Sequence, residues 1–221
     1  MVNKNRFIIS GGGTGGHIYP ALSIANKIKQ SFINSEIKFV GAKGRMEMNI
    51  VPEHGYNIEG LWISGLKRSF SFKNFLLPFK LIISFIHSLF IIIKFNPKFV
   101  IGTGGFASFP IVFISSILRI PTLIQEQNSL PGISNRLLSS YVNYISVAYE
   151  KMEKYFPSKK LFLTGNPIRE SISKSNSSFN LKSKLNIEDS KLVISILGGS
   201  LGSDKINKTI EKNIDFLISK N

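Results

Sequence analysis

The residues best suited to chemistry in this sequence lie in a glycine-rich stretch, GGGTGGHIYP, at residues 11–20. An apolar run precedes it at residues 7–9, and apolar residues at helical spacing follow it from Ala21. A turn from a strand into a helix presents unpaired backbone N–H groups, backed by the positive end of the helix dipole. Because glycine also lets a ligand approach the backbone closely, this turn is typical of a phosphate-binding site.

Two more glycine-rich turns follow apolar runs in the same way. Residues 98–101 lead into GTGGF at 102–106, and residues 192–197 lead into GGSLGS at 198–203. One such turn is weak evidence, whereas three between strands and helices indicate a common arrangement. In a doubly wound parallel sheet these turns share the edge at the carboxyl ends of the strands, where ligands bind.

Two common phosphate-binding motifs fit the first turn poorly. Gly11, Gly13 and Gly16 match the G-x-G-x-x-G spacing of dinucleotide-binding folds, which also need an acidic residue at the end of the second strand. Glu36 lies instead at the start of that predicted strand, so NAD(P) binding is disfavoured. A Walker A loop is excluded because His17 stands where that motif needs lysine.

The elements that must position these turns alternate along the chain. Apolar runs predict strands at residues 7–9, 37–40, 56–61, 97–101, 121–124, 143–147, 160–164 and 192–197. Helices are predicted from Ala21, over 45–54, over 81–93, from Ala107, over 132–139 and after 203. This alternation predicts an α/β fold, a doubly wound parallel sheet with helices on both faces.

Composition narrows the classes of function. The chain has 221 residues and no cysteine, so we expect neither a disulfide framework nor a thiolate metal site, which fits a cytosolic compartment. We also expect no signal peptide, because the apolar run after residues 1–5 is too short. The net charge of +15 has three explanations: a composition rich in lysine throughout the chain, attraction to anionic lipid or phosphate, or binding of nucleic acid. Because the lysines are scattered and no nucleic-acid-binding motif occurs, a membrane surface is favoured over nucleic acid.

Residues 67–95 combine basic residues with a long apolar run. The uncharged segment between Lys80 and Lys94 has about 13 residues, whereas a helix that spans a membrane needs about 20 residues. A helix that is apolar all round is usually buried. Bulky apolar residues beside basic ones instead suit a helix lying at an anionic membrane surface, and both alternatives stay open. The basic residues are Lys67, Arg68, Lys73 and Lys80.

Several motifs, in this order, resemble those of the MurG family of peptidoglycan glycosyltransferases. They are GGTGGH at 12–17, GTGGF at 102–106, EQN at 126–128, GNPIR at 165–169 and GGS at 198–200, with RME at 45–47 also similar. That family transfers N-acetylglucosamine from UDP-GlcNAc to lipid I, an undecaprenyl-diphosphate-linked N-acetylmuramyl-pentapeptide, and forms lipid II. The resemblance implies an inverting hexosyltransferase that needs no metal or other cofactor.

The resemblance also implies the GT-B architecture, in which two Rossmann-like domains face each other across a cleft. Residues 1–168 are then the N-terminal acceptor-binding domain, with 67–95 facing the membrane, and 169–190 are a hinge or linker. Residues 191–221 are the start of a donor-binding domain, its first strand, turn and helix. At about 30 residues this segment is too short for an independent α/β domain, so we expect the chain alone to be inactive. The implied partners are UDP-GlcNAc, lipid I and an anionic membrane surface at the cytoplasmic face of the bacterial inner membrane, without nucleic acid.

Roles for single residues follow from the same motifs. His17 is the candidate catalytic base, because the positive end of a helix dipole disfavours the imidazolium; its alternative role is to hold the loop in shape. Glu126 is a weaker acid–base candidate or a residue that orients its loop. Donor contacts are expected from Thr14, Gly15, Gly16, Asn128, Arg169 and Ser200. Contacts to the acceptor diphosphate are expected from Gly102, Thr103, Gly104 and Gly105.

Two residues depart from the family pattern. Gln125 stands where histidine is frequent, and Leu201 stands where glutamine commonly follows the serine of the third turn. Two other functions therefore stay open. One is a GT-B glycosyltransferase that acts on a different lipid, and the other is a non-catalytic lipid-phosphate-binding half that needs a donor-binding subunit.

Overall fold

The computed structural model describes residues 5–65, 76–169, 172, 181–198 and 202–219. The predicted site residue Ser200 and the basic residues Lys67, Arg68 and Lys73 lie outside these ranges. The chain divides into two compact units, Met1–Ser173 and Lys174–Asn221.

The first unit is built on a seven-stranded sheet whose strands are all parallel. Its order is β3-β2-β1-β4-β5-β6-β7, so the direction of winding reverses between β1 and β4. This topology confirms the Rossmann-like α/β fold and puts the ligand-binding crevice at the carboxyl ends of those two strands. The strands are β1 (Asn5–Gly11), β2 (Ser35–Ala42), β3 (Asn57–Leu61), β4 (Phe99–Gly104), β5 (Thr122–Glu126), β6 (Tyr144–Val147) and β7 (Leu161–Leu163).

Helices cover both faces of the sheet. Ile9 and Phe39 pack with the first helix in one core, while their neighbours Ile8 and Val40 pack with the third and fourth helices in the other. Strands buried on both faces carry apolar residues at successive positions, which is why parts of their sequences are nearly continuous apolar runs. The helices are α1 (Gly15–Ser31), α2 (Glu47–Glu53), α3 (Leu77–Phe95), α4 (Ser108–Ile117) and α5 (Ile133–Leu138).

Helix α3 is longer than the predicted segment. It has 19 residues, because Pro78 is accommodated in its first turn and Asn96 ends it in a left-handed conformation. By length and composition α3 could cross a membrane, and no other helix in the described residues meets that test. One such helix is weak evidence, and α3 packs against α4 and the sheet through Ile91, Ile92 and Phe95.

The second unit contains α6 (Leu181–Lys184) and α7 (Asp204–Ile218), and α7 confirms the helix predicted after residue 203. Ser203 caps α7, its Oγ accepting a hydrogen bond from the N–H of Ile206 at 3.3 Å. The strand predicted over residues 192–197 is not formed, and Leu192 and Leu197 are exposed. A strand needs a neighbour for its backbone hydrogen bonds, and the described part of this unit contains none.

Candidate functional site

The first two glycine turns meet at the edge of the sheet where β1 and β4 end. Gly11 pairs with Gly104 across the two strands, after a register shift that begins at Ser10. A Cβ atom on Gly105 would lie 2.2 Å from the carbonyl oxygen of Gly12, so only glycine allows this approach. The two turns therefore share one surface, as predicted for the carboxyl edge of a parallel sheet.

His17 lies in the first turn of α1 and faces the second glycine turn. Its Nδ1 lies 3.0 Å from the carbonyl oxygen of Thr103 and 3.2 Å from Oε1 of Gln127. A carbonyl oxygen can only accept a hydrogen bond, so Nδ1 must carry the proton. In the neutral ring the lone pair is then on Nε2, which has no hydrogen-bond partner among the described residues.

The side-chain amide of Gln127 has only one orientation that satisfies its neighbours. Its Nε2 donates to the carbonyl oxygen of Thr103 at 2.7 Å and to Oε1 of Gln125. A flipped amide would set its oxygen against both of these acceptors. Oε1 of Gln127 therefore faces His17, and two acceptors hold the proton on Nδ1.

The segment at residues 165–169 is bonded to the same network. Gln125 donates through Nε2 to Oδ1 of Asn166 at 3.4 Å, and Asn166 donates through Nδ2 to the carbonyl oxygen of Gln127 at 3.3 Å. Gln125, which departs from the family pattern, is thus a structural link between the end of β5 and the turn at 165–169. It lies inside β5, although the sequence indicated a loop after residue 124.

Glu126 is buried, and four donors surround its carboxylate. Oε1 accepts hydrogen bonds from the N–H and the Nδ2 of Asn128, each at 3.0 Å. Oε2 accepts hydrogen bonds from the N–H of Gly132 at 3.1 Å and from Nδ2 of Asn135 at 2.9 Å. This arrangement favours the alternative in which Glu126 orients the loop before α5. Asn128 itself is exposed at the surface.

The four residues predicted to bind the acceptor diphosphate differ in accessibility. Gly102 and Thr103 lie inside β4 and are buried, and Oγ1 of Thr103 donates to the carbonyl oxygen of His17 at 2.8 Å. Gly104 is also buried, with its φ at 98°, whereas Gly105 is partly exposed. Thr103 therefore supports His17 from below, and Gly105 is the member of this turn that faces solvent.

The N-terminus of α1 is open. Thr14 is its N-cap residue, is exposed, and makes no side-chain cap hydrogen bond within the described residues. The guanidinium carbon of Arg169 lies 4.8 Å from the centroid of the Tyr19 ring, a cation–π contact. Tyr19 in turn packs beside Gly15, since a Cβ on that glycine would lie 3.3 Å from the ring. The structure thus brings Arg169 close to the predicted donor residues Thr14, Gly15 and Gly16.

Two polar residues of this edge received no role from sequence. Gln127 contacts His17, which is 110 positions away along the chain, and Glu47 accepts a hydrogen bond from the N–H of Gly13 across 34 positions. Both lie inside motifs that resemble the family, EQN and RME, and that was the available signal.

Among the described residues, no group of three or more His, Asp or Glu side chains could hold a metal ion.

Helix α3 presents a second surface of a different kind. Its sheet-facing side buries Ser84, Ser88, Ile91, Ile92 and Phe95. Its outer side carries an exposed apolar stripe at helical spacing, which we call the α3 stripe: Phe79, Ile82, Ile83, Ile86, Leu89, Phe90 and Ile93. Trp62 is exposed at one end of α3, where Nζ of Lys80 lies 5.5 Å from the centroid of its ring.

Comparison with known proteins agrees with this architecture. Residues 7–147 match the model of the glycosyltransferase family 28 N-terminal domain. A Flavobacterium psychrophilum protein is 51% identical over 100% of this chain and 60% of its own length. A Christiangramia forsetii protein is 52% identical over 95% of this chain and 57% of its own length. Both are named "UDP-N-acetylglucosamine--N-acetylmuramyl-(pentapeptide) pyrophosphoryl-undecaprenol N-acetylglucosamine transferase".

Solved structures share the fold. MurG from Acinetobacter baumannii aligns with a TM-score of 0.61 and 24% identity, over 77% of this chain and 47% of that one. A UDP-GlcNAc 2-epimerase from Neisseria meningitidis, solved with UDP-GlcNAc, aligns with a TM-score of 0.55 and 17% identity, over 73% of this chain and 46% of that one. The chain spans about 60% of the length of the curated relatives it matches. The family model covers most of the sheet and more than half of the chain, so this chain belongs to glycosyltransferase family 28. Its residues 7–147 correspond to the N-terminal domain of that family.

Proposed function

We propose that this chain is the acceptor-binding part of an inverting glycosyltransferase that moves N-acetylglucosamine from UDP-GlcNAc to lipid I and so forms lipid II. The names of its relatives and the order of its motifs, which resembles that of the family, support the reaction. The observation that carries the proposal is the hydrogen bonding of His17. With Nδ1–H held by Thr103 and Gln127, Nε2 is left as a basic nitrogen at the edge where both glycine turns end.

In this reaction a hydroxyl of the acceptor sugar attacks the anomeric carbon of the donor. Nε2 of His17 removes the hydroxyl proton as the new glycosidic bond forms, and the bond to the UDP diphosphate breaks on the opposite face. The leaving diphosphate carries the negative charge away. A helix N-terminus and a guanidinium are suited to stabilise that charge without a metal ion.

Those two groups lie together in this chain. Thr14, Gly15 and Gly16 form the open N-terminus of α1, and Arg169 is held over Tyr19 beside it. We assign the donor diphosphate to these residues and to Asn128. The acceptor diphosphate is assigned to the second glycine turn at the partly exposed Gly105, while the buried Gly102, Thr103 and Gly104 hold that turn in place.

We further propose that the α3 stripe rests on the cytoplasmic face of the bacterial inner membrane. Seven bulky apolar side chains on one side of a helix are costly to expose to water and would be covered by lipid. The other side of α3 is packed on the protein, which favours attachment to the surface over crossing of the bilayer. The charge of +15 supports attraction to anionic lipid.

The test is transfer of labelled N-acetylglucosamine from UDP-GlcNAc to lipid I by the full-length gene product, with diacylglycerol as a competing acceptor class. We expect lipid II and no glycosylated diacylglycerol. A product on diacylglycerol alone would replace lipid I by a glycerolipid in the proposal. UDP-GlcNAc binding by calorimetry, on this chain and on a version carrying any downstream coding sequence, would then show whether the donor site needs further residues. No transfer to either lipid would contradict an enzymatic role.

A further inference from the structure

Glu47, the first residue of α2, is buried beneath the first glycine turn. Its Oε2 accepts a hydrogen bond from the N–H of Gly13 at 3.0 Å, and its Oε1 accepts one from the N–H of Ala42 at 3.0 Å. The side chain is 0% exposed, so no water competes for these bonds. One carboxylate therefore joins the turn that follows β1 to the end of β2.

Two glycines make room for this carboxylate. A Cβ on Gly12 would lie 2.1 Å from Oε1 of Glu47, and a Cβ on Gly41 would lie 2.6 Å from its Cγ. Neither glycine has a positive φ, so backbone conformation does not require glycine at these positions. The space taken by Glu47 is what excludes a side chain there.

We propose that Glu47 is a positioning residue that fixes the first glycine turn and restricts where it binds an anion. The Gly13 N–H already donates to the carboxylate, so it is not available to a ligand. The negative charge of the carboxylate also disfavours a phosphate beside Gly12 and Gly13. The open N-terminus of α1, at Thr14 and Gly16, is left as the anion-binding part of the turn. The identity of the anion, the donor diphosphate, rests on the function proposed above.

Replacement of the carboxylate separates charge from shape. Glu47→Gln keeps the size of the side chain but can accept only one of the two N–H groups, and its NH₂ faces the other donor. Glu47→Gln thus loses one hydrogen bond to a charged group and leaves a buried N–H unpaired. We expect this loss to raise the equilibrium constant for opening of the turn by about tenfold or more. We expect faster amide exchange at Gly13 or Ala42, and a rise in the KM for UDP-GlcNAc because the altered turn no longer holds the N-terminus of α1 in place.

A double-mutant cycle tests the packing. Gly12→Ala sets a methyl group against the carboxylate and should disturb the turn when Glu47 is present. Glu47→Ala removes the obstacle, so Gly12→Ala/Glu47→Ala should be no worse than Glu47→Ala in amide exchange at Gly13. Additive effects of the two substitutions would contradict the assigned role of Gly12.

The experiment combines amide hydrogen exchange of residues 11–17 with donor kinetics in the full-length gene product. Glu53→Gln, in the same helix but exposed, is the matched control and should change neither readout. Unchanged exchange at both Gly13 and Ala42 in Glu47→Gln would overturn the proposal. Faster exchange with an unchanged donor KM would overturn the link to the donor. If the unmodified protein transfers no sugar, the proposed function is wrong, and exchange still decides whether Glu47 fixes the turn.

Discussion

The glycine edge of the sheet and the outer side of α3 are built on the same unit but by opposite means. At the edge, the polar side chains of His17, Gln127 and Glu126 each have two or more hydrogen-bond partners. Along the α3 stripe, large apolar side chains such as Phe90, 65% exposed, have no cover within the described residues. The proposed chemistry and the proposed membrane attachment therefore use separate surfaces of this unit, and substitutions should be able to uncouple them.

Removal of the base should give the largest effect at the edge. His17→Ala eliminates the nitrogen that we propose takes the acceptor proton, so we expect kcat to fall by about 10²–10⁴-fold. Steady-state kinetics with lipid I measures this, and binding to vesicles should be unchanged. His54→Ala, at an exposed histidine outside the edge, is the control. Retention of more than a tenth of the kcat in His17→Ala would assign the base to another group.

Charges on the α3 stripe should weaken membrane binding without harming the chemistry. We expect Phe90→Glu to lower partitioning onto anionic vesicles by about tenfold or more, since charged side chains do not enter the acyl boundary. Kinetics with a water-soluble acceptor should stay unchanged. Ile33→Glu is the matched control, because Ile33 is 96% exposed but lies between α1 and β2. Equal losses in both variants would point to net charge instead of the stripe.

A smaller effect is expected where Gln127 meets His17. Gln127→Met keeps the length of the side chain but removes the acceptor on Nδ1–H, while the carbonyl oxygen of Thr103 still holds that proton. The substitution also removes the two hydrogen bonds that Nε2 of Gln127 donates to Thr103 and Gln125. We expect kcat to fall about tenfold, because His17 is then held less firmly. Nitrogen-15 NMR of the imidazole should show Nδ1–H in the unmodified protein. An Nε2–H tautomer there would contradict the assignment of Nε2 as the basic atom.

The sequence predicted the sheet because its strands are buried on both sides. Pairs such as Ile8 and Ile9 face different cores, and such pairs appear as continuous apolar runs between glycine turns. An apolar run alone did not suffice at residues 192–197, where the described part of the second unit offers no neighbouring strand. The roles of Glu47 and Gln127 were not predictable either. Their partners are 34 and 110 positions away, and no spacing rule relates a side chain to a backbone group brought close only by folding.

The smallest expected effect lies where α3 is fastened to the sheet. Glu59 on β3 contacts His87 of α3 at 2.9 Å and Lys38 of β2 at 3.1 Å. Burial alone would raise the pKa of Glu59, but hydrogen bonds and charge from His87 and Lys38 outweigh it and hold this pKa below its ordinary value of 4.5. Because its pKa is lowered in the folded state, the carboxylate stabilises the protein at pH values above its ordinary pKa. This stabilisation is lost as the pH falls through the folded-state pKa.

We therefore expect Glu59→Gln to unfold at lower urea concentration than the unmodified protein at pH 7. The two midpoints should converge as the pH is lowered below 4.5, the ordinary value for this group. Because these side chains are partly exposed, the difference should be at most about 1 kcal/mol at low salt and smaller at high salt. If α3 is fastened in this way, hydrogen exchange in α3 should also rise in Glu59→Gln while residues 11–17 stay protected. Faster exchange at the glycine edge as well would mean that the two regions are coupled and not independent.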